Sequence, residues 1–415
     1  MLLLSGVPAH TGPATDTRAQ PASTPNAGPT DGGAVGGVVG RLAPRACPTP
    51  KPPVSRPTRP VAPTPEPAQR EVGGAALATA GLVVPVGAPE PPALTATSWL
   101  VADLTTGAVL GGCGPHEYAV PASVQKLLLA AAVLPSLDPT RVVEVTEEDL
   151  DFEPGSSAVG LVRGGRYPVE TLWLGLLLNS GNDAANVLAR VGGDAVGRAG
   201  GLAAMNREAR ALGALQTHAA TPSGLDGPGQ YTSAYDLALI ARACFAREDF
   251  RRYAGTRLGH VPAQPGTKGF PIWNDNQLLH RYPGALGGKT GYTDLARHTF
   301  VGAAQRGGRT LLVTLLGAES RPLAGWQQGA ALLDWGFGLP ADAGVGQLVT
   351  RGQLDAAARV PSPAAAVRPV PDTAGDRPVS RWLFLVGGVV AAVLGLVLVL
   401  VVPARRRLRA PDGRR

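Results

Sequence analysis

Lysine is scarce in this chain: only Lys51, Lys126, Lys268 and Lys289 stand among 38 basic residues. Where a bare positive charge suffices the sequence writes Arg, so a lysine within the folded part is a candidate for what Arg cannot do, losing a proton or acting as a compact donor. Lys126 follows Ser123 by three positions in PASVQKLLLAAAV. On a helix that spacing puts both side chains on one face, one turn apart. The apolar run behind them predicts burial, which favours the neutral amine. A neutral lysine beside a serine hydroxyl is a general base beside its nucleophile. Ser123 also falls in the first turn, where backbone N–H groups and the helix dipole favour developing negative charge. Lys289 lies in LGGKTGYTD, where Gly288 and Gly291 flank Lys289-Thr290 and permit another backbone to approach closely, as an added peptide strand would. There Lys289 and Thr290 would hold a carboxylate. Ser180-Gly181-Asn182 joins two helical stretches and can aim a hydroxyl and an amide into a cleft. Each signal has a plainer reading by itself: a chance spacing, a Gly-rich turn, a polar helix-joining loop.

Taken in order they are specific. Ser-x-x-Lys is followed after 57 residues by Ser-Gly-Asn and after a further 109 by Lys-Thr-Gly, the order of active-site motifs in serine penicillin-recognising enzymes. From about Thr95 to Gly338 the chain resembles the D-alanyl-D-alanine carboxypeptidases, the low-molecular-mass penicillin-binding proteins of the serine DD-peptidase and β-lactamase-like superfamily. Further segments carry the likeness: SWLVADLTTGAVL, LLNSGNDAANVLA, GLDGPGQYTSAYDLALIAR and NDNQLLHRYPGALGGKTGYTDLARHTFVGAA. The resemblance implies that Ser123 attacks the terminal D-Ala-D-Ala carbonyl while Lys126 takes its proton, and that Ser180 relays a proton to the departing D-alanine. It implies Asn182 on the substrate backbone, Lys289 and Thr290 on the terminal carboxylate, Gly291 within the binding strand, and the N–H groups of Ser123 and Tyr292 on the oxyanion. The implied partners are peptidoglycan stem peptides ending in D-Ala-D-Ala and β-lactams as covalent inhibitors. Val124-Gln125 replaces the commoner family spelling after the nucleophile, with both side chains expected to face away from the cleft.

Two other readings stay open. A class A β-lactamase carries the same motif types but needs a deacylating Glu after the second motif; between Asn182 and Cys244 the only Glu is Glu208, with Leu212 where an Asn would stand. Slow penicillin release is therefore expected. A non-catalytic binding module of the cell envelope is the alternative of a different class. The six histidines show no motif spacing, with Arg297 and His298 after Lys-Thr-Gly expected on the surface or a sheet face. No metal or nucleotide cofactor is implied. The +7 net charge does not indicate nucleic acid, because the last twelve residues hold six Arg and one Asp. Cys47, Cys113 and Cys244 have no CxxC spacing; at most one disulfide can form, and unpaired thiols are the expectation.

The elements that must position these residues are legible around them. Thr97 to Leu104, Thr106-Gly107 and Ala108 to Leu110 read as a hairpin, as do Arg297 to Ala304 and Arg309 to Gly317 around Arg306-Gly307-Gly308. Helices are predicted over Ala122 to Val133, Thr171 to Leu178 and Ser233 to Ala246, the last opening with Ser233 and Asp236 at capping spacing. The expected fold is α+β: an antiparallel sheet flanked by terminal helices, a helical subdomain, and a C-terminal transmembrane helix. Of 40 prolines, 19 lie between Pro8 and Pro92. The expected organisation is a signal-sequence remnant at 1–10, a Pro-rich disordered stalk over 11–72 and a catalytic domain over 93–340. A Pro/Ala-rich linker over 356–381, a transmembrane helix over 382–402 and a basic cytoplasmic tail over 403–415 complete it. The 21 uncharged residues from Trp382 to Val402 suffice for a core of about 30 Å, and the Arg cluster behind them places the catalytic part outside.

Overall fold

The computed structural model describes residues 44–51, 58, 62–64 and 66–354. One compact unit runs to Thr350; of the unit beginning at Arg351 only 351–354 are described. The strands are β1 (Leu82–Val83), β2 (Ser98–Asp103), β3 (Ala108–Cys113), β4 (Val142–Glu144), β5 (Arg166–Pro168) and β6 (Leu258–Val261). They continue as β7 (Phe270–Trp273), β8 (Ala285–Thr293), β9 (Arg297–Arg306), β10 (Arg309–Ala318) and β11 (Gly346–Gln347). The helices are α1 (Pro67–Arg70), α2 (Lys126–Val133), α3 (Val169–Leu178), α4 (Asn182–Gly192), α5 (Arg198–Leu212), α6 (Ala234–Phe245), α7 (Glu248–Gly255), α8 (Gln277–Arg281) and α9 (Gly325–Phe337).

The main sheet is antiparallel in the order β1-β3-β2-β10-β9-β8, with β11 beside the other end of β3. Both hairpins read from the sequence are present. The later one turns on Gly307 and Gly308, both at positive φ, the geometry that matches the right-handed twist of its strands. Period-2 alternation sends the two faces of these strands into separate cores. Leu100, Ala102, Val301, Ala303 and Leu312 join α2 to α6, whereas Trp99, Val101, Phe300, Leu311 and Val313 face α9. With both faces covered, the strand residues read as nearly continuous apolar runs. The small pairs β4–β5 and β6–β7 lie outside this sheet.

The structure departs from the sequence reading in several places. Only α9 is a substantial flanking terminal helix among the described residues, since its N-terminal counterpart α1 has four residues; proline-rich sequence removes the donors a longer helix would need. The sheet takes strands from outside 93–340, β1 and β11, whose two-residue lengths leave no periodic signal. Within the expected stalk, Arg45 and Pro48 carbonyls accept from the Leu82 and Leu94 amides. Cys47 is disulfide-bonded to Cys113, which corrects the expectation of unpaired thiols, while Cys244 is free and buried. The segments 1–10, 356–381, 382–402 and 403–415 lie outside the described residues; among those described, no helix is long and apolar enough to cross a membrane.

Candidate active site

Ser123 and Lys126 sit where a 3-10 turn (Ala122–Gln125) hands over to α2. The sequence predicts a continuous helix here; instead the first turn is tighter, and Ala122 has φ 49°. The three-residue spacing still brings Lys126 Nζ to 2.8 Å from Ser123 Oγ. Val124 and Gln125 are buried on the side facing the interior.

Lys126 is fully buried and its Nζ has two further contacts, Asn182 Oδ1 at 2.7 Å and the Ser223 carbonyl at 2.8 Å. Both are acceptors. A neutral amine gives its two N–H bonds to these oxygens and is left with a lone pair facing the serine hydroxyl, the arrangement of a base about to take a proton. The electrostatics favour that form. Burial, then the positive charge of Lys289, hold Lys126 well below the usual lysine range, with Asp183 opposing. Asp183 is itself committed to the backbone, accepting from Val159, Gly160 and Leu161 N–H and fixing the loop over the start of α4.

Ser180 is buried, at φ 64°, and its Oγ has no hydrogen-bond partner among the described residues. A non-glycine residue at such φ is strained and persists only where its surroundings hold it. Asn182 opens α4; besides accepting from Lys126, its Nδ2 donates to Ser156 Oγ at 3.0 Å. It therefore orients the lysine, a contact the sequence reading did not include.

Lys289, Thr290, Gly291 and Tyr292 lie on β8, the edge strand, in register with Val301, Phe300, Thr299 and His298 of β9. Gly291 faces the nucleophile: a Cβ there would stand 2.7 Å from the Ser123 amide nitrogen. Thr299 Oγ1 donates to the Pro121 carbonyl at 2.8 Å, clamping the strand pair to the segment entering Ser123. Lys289 Nζ is buried and donates to the Thr290 carbonyl at 2.7 Å. Burial lowers its pKa to about 8, with Asp275 partly opposing. Tyr292 is exposed, its hydroxyl donating to Asp294 and accepting from Arg297, which is paired with Glu319. Burial lowers the pKa of His298, whose ring lies tilted against that of Tyr292, centroids 4.7 Å apart.

Ser123, Lys126 and Asn182 are thus directly bonded, and β8 borders them. Sequence reasoning missed the Ser223 carbonyl, Ser156 and Asp275. The first is a backbone acceptor that no side-chain letter advertises, although its loop, GLDGPGQY, was visible as a family segment. Among the described residues no cluster of side chains suits a metal ion.

Comparison with known proteins agrees with this geometry. Residues 86–320 match the D-alanyl-D-alanine carboxypeptidase family, peptidase S11. The chain is 45% identical over 271 residues to D-alanyl-D-alanine carboxypeptidase DacB2 of Mycobacterium tuberculosis, covering 64% of this chain and 90% of that one. It is 32% identical to DacD of Escherichia coli, spanning 60% of this chain and 64% of that relative's length. Among solved structures, a D-alanyl-D-alanine carboxypeptidase from Mycobacterium tuberculosis superposes with a TM-score of 0.60 at 43% identity, covering 64% of this chain and 99% of its own. The Streptomyces K15 DD-transpeptidase gives 0.57 at 28%, covering 60% and 99%. With Ser-x-x-Lys, Ser-Gly-Asn and Lys-Thr-Gly in the order this group shares, the chain belongs to the D-alanyl-D-alanine carboxypeptidase family of serine peptidases.

Proposed function

We propose that this enzyme removes the terminal D-alanine from peptidoglycan stem peptides through an acyl-enzyme on Ser123. The observation that carries the assignment of roles is the Lys126 amine, buried and held by two carbonyl acceptors with its third direction on Ser123 Oγ. The stem peptide adds along the open edge of β8, its terminal carboxylate at Lys289 and Thr290. Ser123 Oγ attacks the penultimate D-Ala carbonyl carbon as Lys126 Nζ takes the hydroxyl proton. The negative oxygen is received by the N–H groups of Ser123 and Tyr292, and Gly291 leaves room for it. Collapse breaks the C–N bond, and a proton from Lys126 passes to the leaving nitrogen through Ser180, whose unpartnered hydroxyl suits a relay. Water then adds to the ester carbon as Lys126 takes its proton, the bond from that carbon to Ser123 Oγ breaks with the proton returning from Lys126 to Oγ, and the shortened peptide departs.

β-Lactams enter the same path and form a slowly released ester. Glu208 lies on α5, where its charge acts with burial to raise the Cys244 thiol, whereas the charges that reach Lys126 are Lys289 and Asp183. A deacylating carboxylate at the nucleophile is not supplied by it. We also propose that Trp382 to Val402 anchors the enzyme in the cell membrane, with the catalytic unit on the extracellular face and the Arg-rich tail inside; protease treatment of intact cells would cleave the catalytic part only with that orientation.

The test is the full-length chain with an acyl-D-Ala-D-Ala peptide, following free D-alanine in wild type and Ser123→Ala. Release by wild type and none by the variant is expected. No release from a folded wild type that still reacts with penicillin would favour a binding module on the same fold.

A further inference from the structure

Lys126 is aimed by two acceptors that come from different segments. Asn182 stands at the start of α4 and is held there by its helix, whereas the Ser223 carbonyl belongs to loop 220–230, which is neither helix nor strand. The direction of the lysine lone pair therefore depends on what holds that loop. Inside it, the buried Gln230 draws the two arms together. Its Oε1 accepts from the Ala220 and Thr221 N–H groups at 2.8 and 2.9 Å, and its Nε2 donates to the Leu225 carbonyl at 2.7 Å and to Thr221 Oγ1 at 3.1 Å. The amide spends its whole capacity within the loop, which stiffens the loop but does not place it in the molecule.

Its placement comes from contacts outside. Gly224 lies against the Ala122 carbonyl, beside the nucleophile. From β8, the opposite wall of the cleft, Thr293 Oγ1 donates to Asp226 Oδ1 at 2.8 Å, and the same threonine oxygen accepts from the Ala296 N–H at 3.0 Å. The Leu295 backbone also bonds the Asp226 carboxylate. Thr293 is the last residue of β8 and follows Tyr292 directly. Two cavities, of about 400 and 440 Å³, border this loop with Asp226 in the wall of both. Packing leaves this end of the loop room to shift, so the bonds of one carboxylate fasten it to the strand.

The consequence rests on the catalytic reading above. Lys126, aimed by Ser223, takes the proton on one wall, and the Tyr292 N–H receives the negative oxygen on the other; both must meet at one carbonyl carbon. We propose that Asp226 is a positioning residue for acylation, setting through Thr293 the spacing between the wall that aims the base and the wall that carries the oxyanion donor. Asp226 bonds neither Ser123 nor Lys126, and the charges that reach Lys126 are Lys289 and Asp183. Its effect is therefore one of geometry. Lys289 and Thr290 stand further back along β8, so capture of the substrate carboxylate does not depend on the bridge.

The test is made in the full chain, following D-alanine release from an acyl-D-Ala-D-Ala peptide. Asp226→Ala is expected to lower kcat about thirtyfold, within what a displacement of about 1 Å costs, and to leave KM within about twofold. Thr293→Val, which keeps the shape and removes the hydroxyl, is expected to lose kcat in the same way. Thr293→Ser restores the donor and is expected to recover about half or more of the wild-type kcat. The double variant Asp226→Ala with Thr293→Val is expected to be no slower than Asp226→Ala alone, because both changes remove one bond. Wild-type kcat in either single variant, a loss confined to KM, Thr293→Ser as slow as Thr293→Val, or a double variant whose loss is the product of the two single losses would overturn the proposal. Should Asp226→Ala not fold, the two Thr293 variants decide. If the wild type releases no D-alanine, the catalytic reading fails, and the same ratios are then expected in the rate at which a fluorescent penicillin acylates Ser123; equal rates there would overturn the positioning role as well.

Discussion

In the proposed mechanism two lysines of one cleft have opposite tasks: Lys126 must be neutral to accept the Ser123 proton, and Lys289 charged to hold a carboxylate. Burial lowers both, and the charge of Lys289 lowers Lys126 further. On raising the pH, kcat/KM therefore climbs as Lys126 loses its proton, levels, and falls above about 8 as Lys289 loses its own. The alkaline limb can be assigned by Lys289→Arg, since a guanidinium does not titrate in this range. The variant is expected to have a lower maximum, because the fork does not fit a point-charge site, and no alkaline limb near pH 8; a limb that stays in place would mean another group titrates there. Both lysines were legible because the sequence writes Arg almost everywhere else. Their settings were not: the acceptor at Ser223 is backbone, and Asp275 is brought to Lys289 by the chain between β7 and α8, which no spacing encodes.

The elements hold these side chains by close approach. β8 meets the turn carrying Ser123 where Gly291 has no side chain, and a methyl group there would press first on Thr299 Oγ1 and then on the Ser123 amide, 2.7 Å away. Gly291→Ala is expected to separate strand from nucleophile by a few tenths of an ångström and spoil the oxyanion geometry. Acylation by a fluorescent penicillin should fall about a hundredfold, the effect of losing one oxyanion donor, with little change in the melting temperature because β8 is an edge strand. Wild-type acylation in a folded variant would show that the strand can yield and that the close approach is dispensable. The hairpins and the capped α6, where Ser233 Oγ accepts from the Asp236 amide, were readable from periodicity and capping. The 3-10 start of the nucleophile helix was not. The turn is set in a tertiary contact that no local spacing encodes: Gly224, at φ 89°, lies against the Ala122 carbonyl, where a side chain at 224 would collide.

At the scale of the molecule, the feature hidden from composition is the join between the proline-rich segment and the sheet. Proline content alone argues that residues before Val72 bury nothing, yet Cys47 packs against the core shared by the sheet and α9 and is bonded to Cys113 of β3. Spacing gave no hint, because the two cysteines are 66 residues apart with no motif between them. Closing a loop of that length restricts the unfolded chain by about 4 kcal/mol in the loop-entropy account. For a catalytic unit of this size each kcal/mol moves Tm by about 2–4 °C, so Cys47→Ser, or reduction of the wild type, is expected to lower Tm by roughly 10 °C. Activity should be spared at 25 °C: β3 is separated from β8 by β2, β10 and β9, and none of the catalytic groups touches either cysteine. Thermal melting with and without dithiothreitol, alongside penicillin acylation at 25 °C, tests both halves. An unchanged Tm would mean that the 44–50 segment is held by its hydrogen bonds to Leu82 and Leu94 alone. Loss of acylation at 25 °C would mean that strain at one edge of the sheet reaches the other. The expected outcome, a large loss of stability with the site intact, fits the proposed extracellular placement of the catalytic unit, since a disulfide persists in an oxidising setting.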